Sequence, residues 1–457
     1  MLPLTTIILS AGQGKRMKSV LPKVLHRLAG RTLLEFVVNA AIEINSEKIH
    51  VVYGYGSESV LAAFPCPPFD VNWVYQSSQL GTGHAVKQAM PYIPDEALVL
   101  VLYGDVPLVK PSVLTEVVSK AGKQTIGLVT VRLLDPTGYG RIARDTHGRV
   151  TGIIEEKDAS DVERNITEIN TGIMVVFASH LRNWVASLTQ DNAQGEFYLT
   201  DIIKLAIKEG ISVETVMPEL AEEVLGVNDR VQLAHLERYY QREQARLLME
   251  SGVTLQDPER LDIRGDIVVG QDVIIDVNVI LEGRIVIGDG VSIGQNTYIR
   301  DAEIGEGTRI LANCVLEGVI VGKNCRIGPF SHIRPDTRLA EHVHIGNFVE
   351  IKKSNVKERS KINHLTYLGD AQVGCDVNVG AGTVTCNYDG MQKYCTEVQD
   401  NVFIGSGTML VAPVTLGAGS TIGAGSTITK DAPPNKLSVE RSRQMAIKGW
   451  RKNRSVR

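Results

Sequence analysis

The chain has 457 residues, with 48 Lys and Arg against 52 Asp and Glu and a formal net charge of −4. That length exceeds one hydrophobic core, so two or three domains are expected, and the mild acidity speaks against a general nucleic-acid binder. No run of about 18 apolar residues offers a transmembrane span. The opening stretch Met1–Leu9 lacks a charged n-region and reads as a first strand, not a signal peptide. The six cysteines (Cys66, Cys314, Cys325, Cys375, Cys386 and Cys395) include no C-x-x-C pair. Reduced thiols are therefore a better reading than a metal site or a disulfide framework, and a cytoplasmic protein is expected.

From residue 1 to about 228, strand-like runs alternate with helical stretches. Thr6–Leu9, Ile49–Tyr53, Ala97–Tyr103, Gly127–Arg132 and Gly172–Phe177 read as strands, and Thr32–Ile44 and Pro111–Lys120 as helices. The alternation predicts an α/β domain with a mainly parallel, Rossmann-like sheet covered by helices. The first strand runs into Ser10-Ala11-Gly12-Gln13-Gly14-Lys15-Arg16, with Pro22-Lys23 just beyond. Its glycines let backbone N–H groups approach a phosphate chain, and Lys15, Arg16 and Lys23 neutralise it. The loop fits neither G-x-x-x-x-G-K-[ST] nor G-x-G-x-x-G, so neither a P-loop nor a dinucleotide fingerprint is indicated. A Gly-x-Gly pair is also an ordinary tight turn; its place after the first strand of such a sheet favours a ligand. Tyr103-Gly104-Asp105 ends another apolar strand. Its carboxylate suits Mg²⁺ or, more plainly, caps a turn.

Asp229–Met249 carries no Gly or Pro and reads as a linking helix over 229–250, packing its apolar side onto one domain. Aliphatic residues then recur in steps of six from Ile263 to Ile428, as in Ile287, Ile293 and Ile299 or Ile404, Leu410 and Leu416. Six is not a multiple of roughly 3.6 residues per helical turn. A solenoid of short strands accommodates it, so a left-handed parallel β-helix of hexapeptide repeats is expected over 251–457. Each step forms one side of a coil, the aliphatic residue points inward, and a following Gly eases the corner. The ladder makes single five-residue steps, as at Ile351–Val356, and one long break between Val379 and Val398. That break holds Asn387, Tyr388 and Lys393 and marks a second site. After Asp431-Ala432-Pro433-Pro434 comes a basic tail with Arg441, Arg443, Lys448, Arg451 and Lys452.

His364, two positions past the inward Ile362, is a candidate general base, although a lone His on a solenoid is more often an ordinary surface residue. Adjacent coils lie roughly 4.8 Å apart, so Arg334 and Lys352, 18 apart in sequence, can grip one phosphate together.

The start L-S-A-G-Q-G-K-R-M…P-K, with Gln76, Leu80–Ala85, Tyr103–Asp105, Gly138–Arg141, Glu155–Asp158, Asn170–Gly172 and Gly226–Asn228, resembles the sugar-1-phosphate nucleotidyltransferases. With N-H-L-T-Y-L-G-D at 363–370, N-V-G-A-G-T-V-T-C-N-Y-D-G at 378–390 and I-G-S-G-T at 404–408, residues 5 to 450 resemble one bacterial family. Its members are bifunctional N-acetylglucosamine-1-phosphate uridyltransferases and glucosamine-1-phosphate acetyltransferases. The resemblance implies that Leu9, Ser10, Ala11, Gly12, Gln76, Gly81 and Thr82 hold uridine, while Arg16 and Lys23 steady the triphosphate. It implies Mg²⁺ on Asp105 and Asn228, and an amino sugar among Tyr103, Gly104, Gly140, Glu155, Asn170 and Thr171. In the second half it implies sugar-phosphate binding by Arg334, Lys352, Tyr367, Asn378 and Lys393, and His364 as base. Acetyl-CoA would meet Ala381, Asn387, Tyr388, Ser406, Ala424 and Arg441, with Arg443 an alternative to Arg441. Gln13 and Lys15 stand where many relatives have Lys and Thr, which leaves the share of phosphate contacts between Lys15 and Arg16 open. A homotrimer with a shared acetyl-CoA site is also implied. A single nucleotidyltransferase with a merely structural β-helix is the competing reading, against which His364 and the Asn387–Gly390 insertion count.

Overall fold

The computed structural model describes residues 2–64 and 71–450, so Cys66 and, in the tail, Arg451 and Lys452 lie outside the described residues. The chain divides into two compact units, Met1–Tyr240 and Gln241–Arg457.

The first unit is built on a sheet centred on Leu4–Leu9, whose residues are all buried. This strand pairs in parallel with Lys48–Tyr53 on one side and Leu98–Tyr103 on the other. Val71–Tyr75 extends the first side in parallel. On the second side Glu168–Phe177 runs antiparallel to both Leu98–Tyr103 and Thr125–Arg132, and Ser212–Val216 follows in parallel with the latter. The expected mainly parallel sheet is therefore present, with the predicted Gly172–Phe177 strand longer and reversed. Alternate residues feed separate cores: Ile7, Val99 and Val101 pack with Trp184 and Ile202, while Ile8, Leu100 and Leu102 pack with Leu34, Val37 and Leu114. Covering both faces explains why these strands are continuously apolar rather than alternating. The helix Leu33–Glu43 starts at a capping box, in which Thr32 accepts from the Glu35 N–H and Glu35 reaches back to the Thr32 N–H.

The helix Arg230–Glu250 spans the division between the units. The expectation that it packs onto one domain is corrected, because each half serves its own unit. Leu236 is buried with Met17, Leu28, Leu33 and Val227, and Phe36 meets Tyr240 edge to face at 5.5 Å. Beyond the division, the Gln241 side chain both donates to the Ile263 carbonyl at 2.8 Å and accepts from its N–H at 2.7 Å.

The second unit is a parallel β-helix. Equivalent residues of successive coils pair in parallel, as in Ile275↔Ile293, Ile293↔Ile310 and Ile327↔Ile345. The ladder residues form one continuous core from Ile263 to Ile428. The Gly directly after the inward aliphatic residue does not itself turn the corner, however. A Cβ on Gly346 would collide with the Asn363 carbonyl of the next coil, and one on Gly405 would lie 2.5 Å from Ala424 N. These glycines permit close stacking of coils. The left-handed corner conformation falls instead on other positions, shared between glycines such as Gly290, Gly307, Gly407 and Gly425 and Asn or Asp residues including Asn278, Asn296, Asn313, Asp376 and Asn401. Short polar side chains tolerate that conformation best after Gly. Asn278 and Asn296 donate to the next corner amide at 3.0 and 3.2 Å, forming a ladder of their own. The long break is a side excursion: Thr385 occupies the inward position, fully buried, and the chain leaves after Cys386 and rejoins at Thr396–Val398.

Candidate functional sites

In the first unit, Leu9 and Tyr103 end neighbouring parallel strands side by side. Beyond them opens a cavity of about 780 Å³, lined by Leu9, Ser10, Ala11, Gly12, Arg16, Lys23, Gln76, Gly81, Thr82, Tyr103, Asp105, Thr171 and Asn228. All of these are sequence-predicted. Carboxyl ends of parallel strands are where such sheets bind ligands, because the connecting loops splay apart there. Gly104 lets the two strand ends approach closely, since a Cβ there would press on the Ser10 hydroxyl. Lys15 also lines the cavity, as do Gln13, Gln79 and Glu196; nothing in the sequence pattern distinguishes the last two.

Charge is concentrated on one side of this cavity. The Lys23 ammonium is ion-paired with Asp105 and lies 3.3 Å from Asn228 Oδ1, which also accepts from Arg16 at 2.9 Å. The Asp105 and Asn228 oxygens thus converge on a single position held by a cation, here an ammonium. Gly140, Glu155 and Asn170 lie beside the cavity rather than lining it. The Asn170 N–H donates to the Gly140 carbonyl at 2.8 Å, and Thr200 donates to Glu155 at 2.9 Å. Burial holds the Glu155 carboxyl above its ordinary range, reinforced by Asp201 and Asp158 and opposed by the Thr200 hydrogen bond. Burial likewise raises the Tyr103 phenol, helped by Glu155 and then Asp105. Tyr103 therefore remains a neutral hydroxyl between the two clusters.

In the second unit, one outer column shows where an anion belongs. Arg264, Glu282, Arg300 and Glu317 stack in register with alternating sign, Arg300 and Glu317 at 2.6 Å. Continuing the register puts Arg334 above Glu317, from Leu316↔Ile333, and Lys352 above Arg334, from Ile333↔Ile351. There alternation stops and positive charges accumulate. The Lys393 ammonium, then the Arg334 guanidinium, hold Lys352 below its ordinary value. Glu350 offsets part of this, accepting from Arg334 at 2.7 Å. Tyr367 belongs to the same face, paired with Glu350. Asn378 does not: it pairs with Lys361 and Phe403 on a different face.

A second column runs up the adjoining corner. The Gly382 N–H donates to the His364 carbonyl at 3.2 Å, Gly407 to Ala381 at 2.7 Å, Gly425 to Ser406 at 2.8 Å, and the Arg441 side chain to Ala424 at 2.9 Å. His364, Ala381, Ser406, Ala424 and Arg441, scattered in sequence, therefore stack coil upon coil. Asn387 donates to Asp370 at 2.6 Å, and Tyr388 pairs with Lys393 across the inserted hairpin. One residue escaped the sequence reading: Asn347 Oδ1 lies 2.8 Å from His364 Nδ1. An amide oxygen there favours the tautomer with its proton on Nδ1, in which Nε2 carries the lone pair. Its signal was the register itself, since Asn347 sits one coil from His364. Among the described residues no cluster of three or more His, Cys, Asp or Glu is arranged for a metal, and no helix is long and apolar enough to cross a membrane.

Family models agree with this division. One described as a MobA-like NTP transferase domain matches residues 6–199, one described as the GMPPB C-terminal domain matches 263–353, and the bacterial transferase hexapeptide (six repeats) matches 395–430. The chain is 55% identical over 446 residues to the bifunctional protein GlmU of Azoarcus sp. strain BH72, covering 98% of both chains. It is 53% identical over 452 residues to that of Methylococcus capsulatus, covering 99% of this chain and 98% of the relative. It is 54% identical to that of Aromatoleum aromaticum, again with 98% of both covered. Identity at this level extends over 98–99% of the chain and so over both units, and the chain belongs to the family of bifunctional GlmU proteins, with a nucleotidyltransferase domain followed by a hexapeptide acetyltransferase domain.

Proposed function

We propose that the second unit transfers the acetyl group of acetyl-CoA to glucosamine 1-phosphate. The first unit then joins the resulting N-acetylglucosamine 1-phosphate to UTP, releasing pyrophosphate. The observation that carries the first step is the break in charge alternation at Arg334, Lys352 and Lys393 beside His364. A structural coil gains nothing from stacked like charges, whereas a phosphate dianion relieves their repulsion. With Asn347 holding the Nδ1 proton, His364 takes a proton from the sugar amine through Nε2 as nitrogen attacks the thioester carbonyl. Coenzyme A leaves as the thiol, and the Ala381–Ser406–Ala424–Arg441 column provides a track for it.

In the first unit the phosphate of the sugar is already ionised at neutral pH, so its attack on the α-phosphorus of UTP needs no strong base. Positioning and charge compensation by Arg16, Lys15 and Lys23 carry the step. Asp105 and Asn228 fit a divalent cation, since their oxygens converge where the Lys23 ammonium sits and Mg²⁺ takes few protein ligands. Bound there, Mg²⁺ would neutralise charge on the phosphate oxygens and leave Lys23 to the triphosphate. A homotrimer in the cytoplasm completes the reading. Asn378 lies on a different face from Arg334 and Lys352, so one sugar phosphate reaches both sets most readily when two copies meet. The test is direct: CoA release from acetyl-CoA with glucosamine 1-phosphate, and pyrophosphate release from each nucleoside triphosphate with N-acetylglucosamine 1-phosphate. Failure of the first in folded protein would leave a nucleotidyltransferase with a structural coil.

A further inference from the structure

The hairpin inserted into the β-helix carries a cysteine at each side of its base, and both are free thiols. Two independent registers bring them together. Within the hairpin, Tyr388 bridges Lys393, the Tyr394 N–H donates to the Asn387 carbonyl at 2.9 Å, and the Asp389 N–H to the Gln392 carbonyl at 3.3 Å. This pattern makes Tyr388/Lys393 a non-hydrogen-bonded pair. Extended by two residues, the same register would set Cys386 opposite Cys395. Such pairs bring Cα atoms to about 4.5 Å with side chains on one side.

The coils give the same answer. Tyr367 pairs with Val384 and Ala371 with Thr396, so Cys386 lies over Gly369 and Cys395 over Asp370, which are consecutive residues. On the other side Cys386 pairs with Val411 and Thr396 with Val414, which sets Cys395 beside Pro413, two residues from Val411. The pair is thus bracketed between consecutive positions, about 3.8 Å apart, and positions two apart, a span that overlaps the roughly 4.4–6.8 Å Cα range of disulfides. Both side chains point away from the core, because Thr385 and Thr396, their immediate neighbours, are the inward, buried residues. Cys395 is exposed and Cys386 partly so.

We propose that Cys386 and Cys395 form an oxidisable dithiol that staples the base of this hairpin, reduced at rest and closed by exchange with a low-molecular-weight disulfide. One thiolate of the pair attacks that disulfide and releases one small thiol; the other thiolate then displaces the second. Two protein thiols lose their protons, one S–S bond forms, and the small disulfide is reduced to two thiols. The proposal concerns the backbone of the hairpin and holds whatever the hairpin binds.

The test uses the full-length folded protein incubated with oxidised glutathione. A mass decrease of 2 Da on the native protein is expected, with the 386- and 395-containing peptides linked. It should be reversed by dithiothreitol and absent from Cys395→Ser, and hydrogen exchange at 388–393 should slow by about tenfold on oxidation. Persistent glutathione adducts without a link, or a link that forms only after denaturation, would overturn the proposal. Because Ser is nearly the size of Cys and the site is exposed, far-ultraviolet circular dichroism of Cys395→Ser serves to confirm folding.

Discussion

At the scale of single residues, the second site rests on two side chains from neighbouring coils. His364→Ala is expected to lower acetyl transfer by about 10²–10⁴-fold, the usual contribution of a positioned base. Asn347 acts through His364, so Asn347→Ala should cost about 10- to 100-fold, the scale for partners that orient an imidazole. Asn347→Asp keeps the acceptor and adds a negative charge. It should move the acidic limb of the pH–rate profile upward, a shift that a purely structural Asn would not produce. In the first unit Glu155 offers a stability test. Burial raises its folded-state pKa above the ordinary 4.5, so the folded state binds more protons than the unfolded chain. Its contribution to stability is fully present below about 4.5 and is lost as pH rises through the raised value. Glu155→Gln should therefore melt higher than the parent at pH 8, with the difference shrinking towards pH 4; a pH-independent difference would contradict the assignment.

At the scale of elements, the coil is legible because its spacing is a packing requirement. Every sixth residue must be apolar to fill a triangular interior, and the buried core follows that ladder. The corners were not legible in the same way, because left-handed backbone tolerates several residue types and falls on Asn313, Phe330, His342 and Arg359 alike. Thr385 was hidden for a related reason: a hydroxyl at an inward position breaks the apolar pattern, yet here it accepts from the Gly369 N–H at 2.8 Å. Two changes probe this element. Gly346→Ala forces a Cβ into the Asn363 carbonyl of the next coil; the β-helix should lose thermal stability and acetyl transfer together. Deleting 387–394 joins Cys386 to Cys395 where the previous coil has Gly369 joined to Asp370. That variant should fold, with a near-native circular dichroism spectrum, and lack acetyl transfer. Unfolding on deletion would mean the hairpin supports the coil.

At the scale of the whole molecule, the sequence disclosed the order of the parts and the motifs of both sites, because glycine loops, strand-end carboxylates and repeats are local patterns. Apart from the coil spacing that sets Arg334 beside Lys352, it did not disclose long-range pairings. Lys23 meets Asp105 and approaches Asn228 across 82 and 205 residues of chain, and Asn378 falls on a face apart from Arg334. Neither follows from spacing along the chain. The central claim is that one chain carries two separate chemistries, each confined to its own unit. The most direct measurement assays both reactions in parallel on His364→Ala and Asp105→Ala. The account predicts that His364→Ala loses CoA release while keeping near-normal pyrophosphate release, and that Asp105→Ala does the reverse. Loss of both activities in either folded variant would contradict it.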